Sequence, residues 1–238
     1  MSQVPNILVS LDVSYRGLGC TIMYKTDQDS FPQILTYELV AEEEDIDSFF
    51  GVTNAVAELE LKVFDLLRYI LGDRYSTESG ENRMLLIEMP SSRGLSAPRL
   101  YALDVAFVRK AYQEGYRPVY CSNKLVQSVL GGKAKDKRKN PGFCQLEADF
   151  VKNDFNLALL NSKKVNKRAS IFLCRLMKDD FSRMGFDVLK LKSHNIADSL
   201  VFLMAYGYAH LWGQELFPSF GQYLNPKKEY MFKENAKW

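Results

Sequence analysis

Ile7-Leu8-Val9-Ser10-Leu11-Asp12-Val13-Ser14-Tyr15-Arg16-Gly17-Leu18-Gly19 is the stretch whose reading decides the fold. A short apolar run with no helical spacing ends on a carboxylate and meets a glycine-bearing turn, the pattern of a buried strand feeding a second one. A carboxylate beside a buried run is costly unless it is paired or bound to a metal. Two more acids stand in the same setting. Glu88 closes Met84-Leu85-Leu86-Ile87-Glu88, and Asp198 opens an apolar helix in Ser193-His194-Asn195-Ile196-Ala197-Asp198-Ser199-Leu200. Taken singly, each reads as a strand-end, loop or helix-cap acid. Together, on neighbouring elements, the three can converge on one divalent cation.

Working outward, residues 6–12, 19–25 and 33–40 read as an antiparallel meander. Val56, Leu59, Val63, Leu66, Leu67 and Ile70 repeat at helical spacing over residues 55–71, and Gly72 follows as a C-cap. Met84 to Glu88 is a strand stopped by Pro90. A helix over 97–114 precedes a strand over 118–121. Lys124 to Leu130 reads as a short helix ended by Gly131-Gly132. Residues 147–160 form one helical stretch in an otherwise polar, irregular segment, 167–184 a basic amphipathic helix, 187–191 a last strand, and 196–211 a long apolar helix. The order predicts an α/β chain with a ribonuclease H-like mixed five-stranded sheet flanked by helices. Asp12 then sits mid-sheet, Glu88 at the end of the adjacent strand, and Asp198 in the first turn of the closing helix.

Composition narrows the classes. The chain has 238 residues, 47% hydrophobic and 25% charged, enough to bury a full core as one domain with an inserted basic segment at about 133–165. No apolar stretch reaches the roughly 18 residues of a membrane span, and no leader pattern is visible, so a soluble intracellular protein without a membrane partner is expected. Cys20, Cys121, Cys144 and Cys174 lack close pairs and read as reduced thiols. The net charge of +2 hides an asymmetry: residues 1–119 carry 11 Lys and Arg against 18 Asp and Glu, and residues 120–238 carry 20 against 11. Lys133, Lys135, Lys137, Arg138 and Lys139, then Lys163, Lys164, Lys167 and Arg168, form two basic clusters suited to a polyanion.

These residues resemble a known family, the RuvC-type Holliday-junction resolvases. Residues 7–19 are similar to its first strand and turn, where the acid is followed by a small residue, an Arg and a Gly. Leu86-Ile87-Glu88 is similar to its second acidic motif. Residues 124–133 resemble the helix and glycine turn that open its DNA-facing region, and Asn195-Ile196-Ala197-Asp198-Ser199-Leu200 resembles its closing acid-x-x-acid helix start. The resemblance runs in order from about residue 6 to 212. It implies Asp12, Glu88, Asn195 and Asp198 as catalytic metal ligands for two Mg²⁺, with Mn²⁺ able to substitute. One ion would activate water and the other would stabilise the departing 3′ oxygen. It also implies Arg16, Arg93, Lys124, Lys133, Lys135, Lys137, Arg138, Lys167 and Arg168 as contacts to a four-way DNA junction, and a homodimer through the helix over 97–114. That helix carries Leu100, Leu103, Phe107 and Ala111 on one stripe, and Tyr101, Val105, Val108 and Tyr112 on a second that needs another cover.

The chain departs from the family at two points. The position three before Asp198 is usually an acid or His, and here it is Asn195, with His194 beside it. Either the site is naturally altered, or an Asp has been replaced to trap an uncleaved complex. The second is favoured because His-Asp-Ile-Ala-Asp-Ser would read as intact, and restoring Asp should then raise metal-dependent activity. After Glu88, Met89-Pro90-Ser91-Ser92-Arg93 offers no aromatic wedge for opening a junction. Two other classes stay open: a junction-binding protein with a degenerate site, and an actin-like sugar kinase or ATPase, for which a second phosphate motif and an adenosine-binding Gly pair are missing.

Overall fold

The computed structural model describes residues 6–14, 17–25, 31–42, 48–72, 82–89, 97–122, 148–149, 152, 165–209 and 212–223. Five strands, β1 (Ile7–Asp12), β2 (Leu18–Tyr24), β3 (Gln33–Leu39), β4 (Arg83–Met89) and β5 (Arg117–Ser122), form one sheet in the order β3-β2-β1-β4-β5. β1 pairs antiparallel with β2, and β2 with β3, whereas β4 runs parallel to β1 and β5 parallel to β4. This is the mixed five-stranded sheet that was expected, with each of its five strands where the sequence reading put one. Central position explains why β1 lacks hydrophobic alternation: all six of its residues are buried, because both faces are covered.

The residues of β1 divide between two cores by parity. Ile7, Val9 and Leu11, with Cys20, Ile22, Leu85 and Ile87, pack under α1 (Phe49–Leu71) and α2 (Ala97–Gln113). Leu8, with Met23, Met84, Leu86, Val119 and Cys121, packs under α3 (Val165–Leu176) and α5 (His194–Ala209). α1 begins earlier than the apolar spacing indicated. Ser48 is its N-cap, accepting from the Gly51 N–H at 3.0 Å. Gly72 ends it at φ 51°, where a side chain would be strained, and its N–H bonds to the Arg68 carbonyl.

A polar seam fixes α5 on the sheet. The Ser10 hydroxyl donates to the Ser199 carbonyl at 2.7 Å. Ser199 Oγ donates to the Ile196 carbonyl at 2.8 Å, so its single proton is committed, and the Thr21 hydroxyl donates to Ser199 Oγ at 2.6 Å. All three side chains are fully buried. Nearby, a Cβ on Gly19 would lie 2.1 Å from the Asn195 carbonyl oxygen, so a residue without a side chain is what lets the start of α5 rest on β2.

Three expectations need correction. The basic helix over 167–184 is two helices, α3 and α4 (Lys178–Arg183), broken at Met177. The last strand over 187–191 is a 3₁₀ turn, Val188–Lys190, with the Asp187 side chain accepting from the Leu189 N–H at 3.1 Å. Its buried residues, Val188 and Leu191, lie three apart, which matches the 3₁₀ period and not the strand period of two. Asp198 sits one turn further into its helix than expected, since α5 begins at His194. Helix α6 (Trp212–Leu216) and a 3₁₀ segment, Pro218–Tyr223, close the described chain.

On α2 the inner stripe, Leu103, Phe107 and Ala111, is fully buried. The outer residues Tyr101, Val105 and Tyr112 are exposed, as is Tyr120 on the adjoining edge strand β5. Among the described residues no helix is long and apolar enough to cross a membrane. Cys20, Cys121 and Cys174 are free buried thiols, and Cys144 lies outside the described residues.

Candidate metal centre

Register places the first two acids together. Leu11 pairs with Ile87 in the parallel ladder, and one step onward Asp12 ends β1 beside Glu88 on β4. Strands in a sheet lie about 4.8 Å apart. Asp12 also pairs with Gly19, and Gly19 with Glu38, so Glu38, Gly19, Asp12 and Glu88 form one row across the sheet. Partners in a row project to one face. For this row it is the face of Ser10 and Thr21, covered by α5. Asp12 is buried at 8% exposure, and Glu88 is half-buried.

Helix α5 brings the other two residues over that face. The Asn195 backbone rests on Gly19, and its side-chain Nδ2 donates to Glu38 Oε1 at 3.0 Å, with the Gly17 carbonyl at 3.5 Å. Asp198 is half-buried, and its Oδ1 accepts a hydrogen bond from Ser170, a fully buried residue of α3. Two buried thiols lie close enough to feel these acids. Burial, then the charge of Glu88, pushes Cys121 up to about 12. Burial, then the charge of Asp198, raises Cys174 well above its ordinary value. Both thiols therefore stay protonated and belong to the core floor beneath the acids.

The structure thus brings Asp12 and Glu88 side by side and sets the N-terminal turns of α5, with Asn195 and Asp198, across the same face. Among the described residues, no three His, Cys, Asp or Glu side chains gather closely enough to hold a metal ion. Asp198 is engaged with Ser170, and Asn195 with Glu38. The donors on offer are carboxylate and amide oxygens, the chemistry that hard divalent cations such as magnesium take. Those donor types suit such an ion, and Asp12, Glu88, Asn195 and Asp198 are the residues that would hold it.

Sequence reading missed three neighbours of this site. Ser170 gives no signal in its helix, and Glu38 is an ordinary exposed position of β3. Asp104 did carry a signal, an acid between the buried Leu103 and Phe107 on α2. It is 1% exposed, and its Oδ2 has no hydrogen-bond partner among the described residues. Burial first, and the charge of Glu88 second, push Asp104 up to about 7. Its folded value lies above the unfolded one of about 3.9, so its contribution to stability is full below about pH 4 and is lost as pH rises through about 7. Asp104→Asn should flatten that decline in urea-unfolding free energies measured between those pH values; an unchanged slope would remove Asp104 as its source.

The expected DNA contacts are mostly outside the described residues: Arg16, Arg93, Lys124, Lys133, Lys135, Lys137 and Arg138. Lys167 and Arg168 lie in the first turn of α3. Residues 90–93, where an aromatic wedge was sought, and the expected short helix over 124–130 are also outside.

The solved structures similar to this chain include two of one protein. Thermus thermophilus RuvC superposes with a TM-score of 0.46 at 10% identity, covering 91% of this chain and 97% of that one. T. thermophilus RuvC in complex with a Holliday junction substrate gives 0.46 and 10%, covering 91% and 96%. No family model matches the sequence, and no curated protein matches it either.

Proposed function

We propose that this chain is a divalent-metal-dependent endonuclease that cuts branched DNA, with a four-way junction as substrate and a homodimer as the working unit. The observation that carries this reading is the shared row of Asp12 and Glu88, with Asn195 and Asp198 brought over the same face by a helix seated on Gly19. When bound, magnesium supplies Lewis-acid stabilisation of charge developing on a phosphodiester. The chain's own residues provide the rest. Asp12 and Glu88 would fix the charged floor, Asn195 would contribute an amide oxygen, and Asp198, steadied by Ser170, would contribute a carboxylate oxygen. The exposed Tyr101, Val105, Tyr112 and Tyr120 support a second copy docking along α2, the symmetry that two matched nicks in a two-fold junction require.

The test is cleavage of a synthetic four-way junction in Mg²⁺ or Mn²⁺, against linear duplex of equal length. Paired, metal-dependent nicks confined to the junction support the proposal, and equal cutting of both substrates discards the branched specificity. Binding without any nicking selects the second reading, a junction-binding protein without chemistry, which Asn195 and the bond of Asp198 to Ser170 favour.

Binding should fall steeply with salt, because each Lys or Arg that neutralises a phosphate releases counterions. Replacing Lys133, Lys135 and Lys137 with Ala should reduce the log–log salt slope by roughly 0.9 per lysine in fluorescence-anisotropy titrations. A slope unchanged by all three replacements would move the DNA path away from this cluster.

A further inference from the structure

We infer that Glu38 is a positioning residue for Asn195, supplying the negative charge that this amide lacks and turning its oxygen free for ligation; the inference rests on the metal reading above. Glu38 is the third member of the row that contains Asp12, separated from it only by Gly19. Because Gly19 has no side chain, nothing on β2 stands between Glu38 and the start of α5. Asn195 Nδ2 fills that gap, donating to Glu38 Oε1 at 3.0 Å with the Gly17 carbonyl at 3.5 Å. A backbone carbonyl accepts only, and a carboxylate does the same, so the amide nitrogen must face both of them. Asn195 Oδ1 is left as the uncommitted atom, with no hydrogen-bond donor among the described residues.

The same contact reverses the sequence-based preference for an Asp at this position. A carboxylate at 195 would meet Glu38 with two acceptors and no proton between them, and both charges would be alike. The amide is therefore the side chain that this environment fits. The site keeps an acid here, moved from the helix to the third strand.

The test uses the full chain and Mn²⁺ as the probe, with binding read by calorimetry and thermal unfolding read without metal. Glu38→Ala should weaken Mn²⁺ binding by roughly 10–100-fold, as loss of a residue that orients a ligand does. Glu38→Gln keeps an acceptor for Nδ2 and should recover part of that loss. Asn195→Asp should lower the metal-free Tm in the wild-type background and leave it unchanged beside Glu38→Gln. Mn²⁺ binding that is unaltered in Glu38→Ala but lost in Asp12→Asn overturns the inference and leaves the metal reading standing. An equal effect of Asn195→Asp with and without Glu38 also overturns it. A wild-type chain that takes up no Mn²⁺ sinks the metal reading and the inference together.

Discussion

Asp12→Asn is expected to leave junction binding intact while cutting the cleavage rate about a thousandfold, equivalent to roughly 4 kcal/mol of transition-state stabilisation. The side chain is buried at the end of the central strand, beside Glu88 on one side and Gly19 on the other. An amide of the same shape preserves packing but removes a full charge from the floor of the site. On the proposed reading the phosphate contacts that set affinity come from basic residues elsewhere, so Kd for the junction should change little. Single-turnover cleavage and anisotropy on one preparation separate the two quantities. Full nicking by the variant would withdraw Asp12 from the chemistry, and lost binding would show that it acts on structure instead.

Gly19→Ala should have the largest effect on stability. The added Cβ would lie 2.1 Å from the Asn195 carbonyl oxygen, 2.2 Å from its carbon and 2.7 Å from the Ile196 nitrogen. These are backbone atoms, so no rotamer change relieves the contact and the whole helix α5 must lift. Overpacking of this kind costs about 3 kcal/mol, or roughly 6–12 °C in Tm for a chain of this size. The lift would also break the seam from Ser10 and Thr21 to Ser199. Circular-dichroism melting measures it. A Tm within a degree of wild type would mean that α5 does not rest on this glycine.

Much of this arrangement was legible in the sequence, for a physical reason. Burial on both faces leaves β1 a continuous apolar run, and strands of that kind announce themselves by ending where polarity returns, at Asp12 and Glu88. The apolar stripe of α1 and its Gly72 stop were equally local signals. What stayed hidden depends on tertiary register. Glu38 is unremarkable until β3 is laid against β2 and places it opposite Gly19. Ser170 matters only because α3 crosses α5 at Asp198. The misread 187–191 segment shows the limit of counting apolar residues: Val188 and Leu191 are both core, but a spacing of three belongs to a 3₁₀ turn. The break at Met177 was invisible because that methionine is itself buried and keeps the apolar pattern running. Asp104 could have been found by the logic that found Asp198, an acid where a helix turns inward.

The strand order has a consequence for biosynthesis. Ile7 must wait for Arg83 before its second edge is paired, while β2 can close onto β1, and β3 onto β2, almost at once. A ribosome-bound chain therefore carries a three-stranded meander with one open, mostly apolar rim until β4 emerges, a template for pairing with other chains. Chaperone dependence and aggregation during expression should track the time that rim stays bare, and slowing translation between residues 40 and 83 would lengthen it.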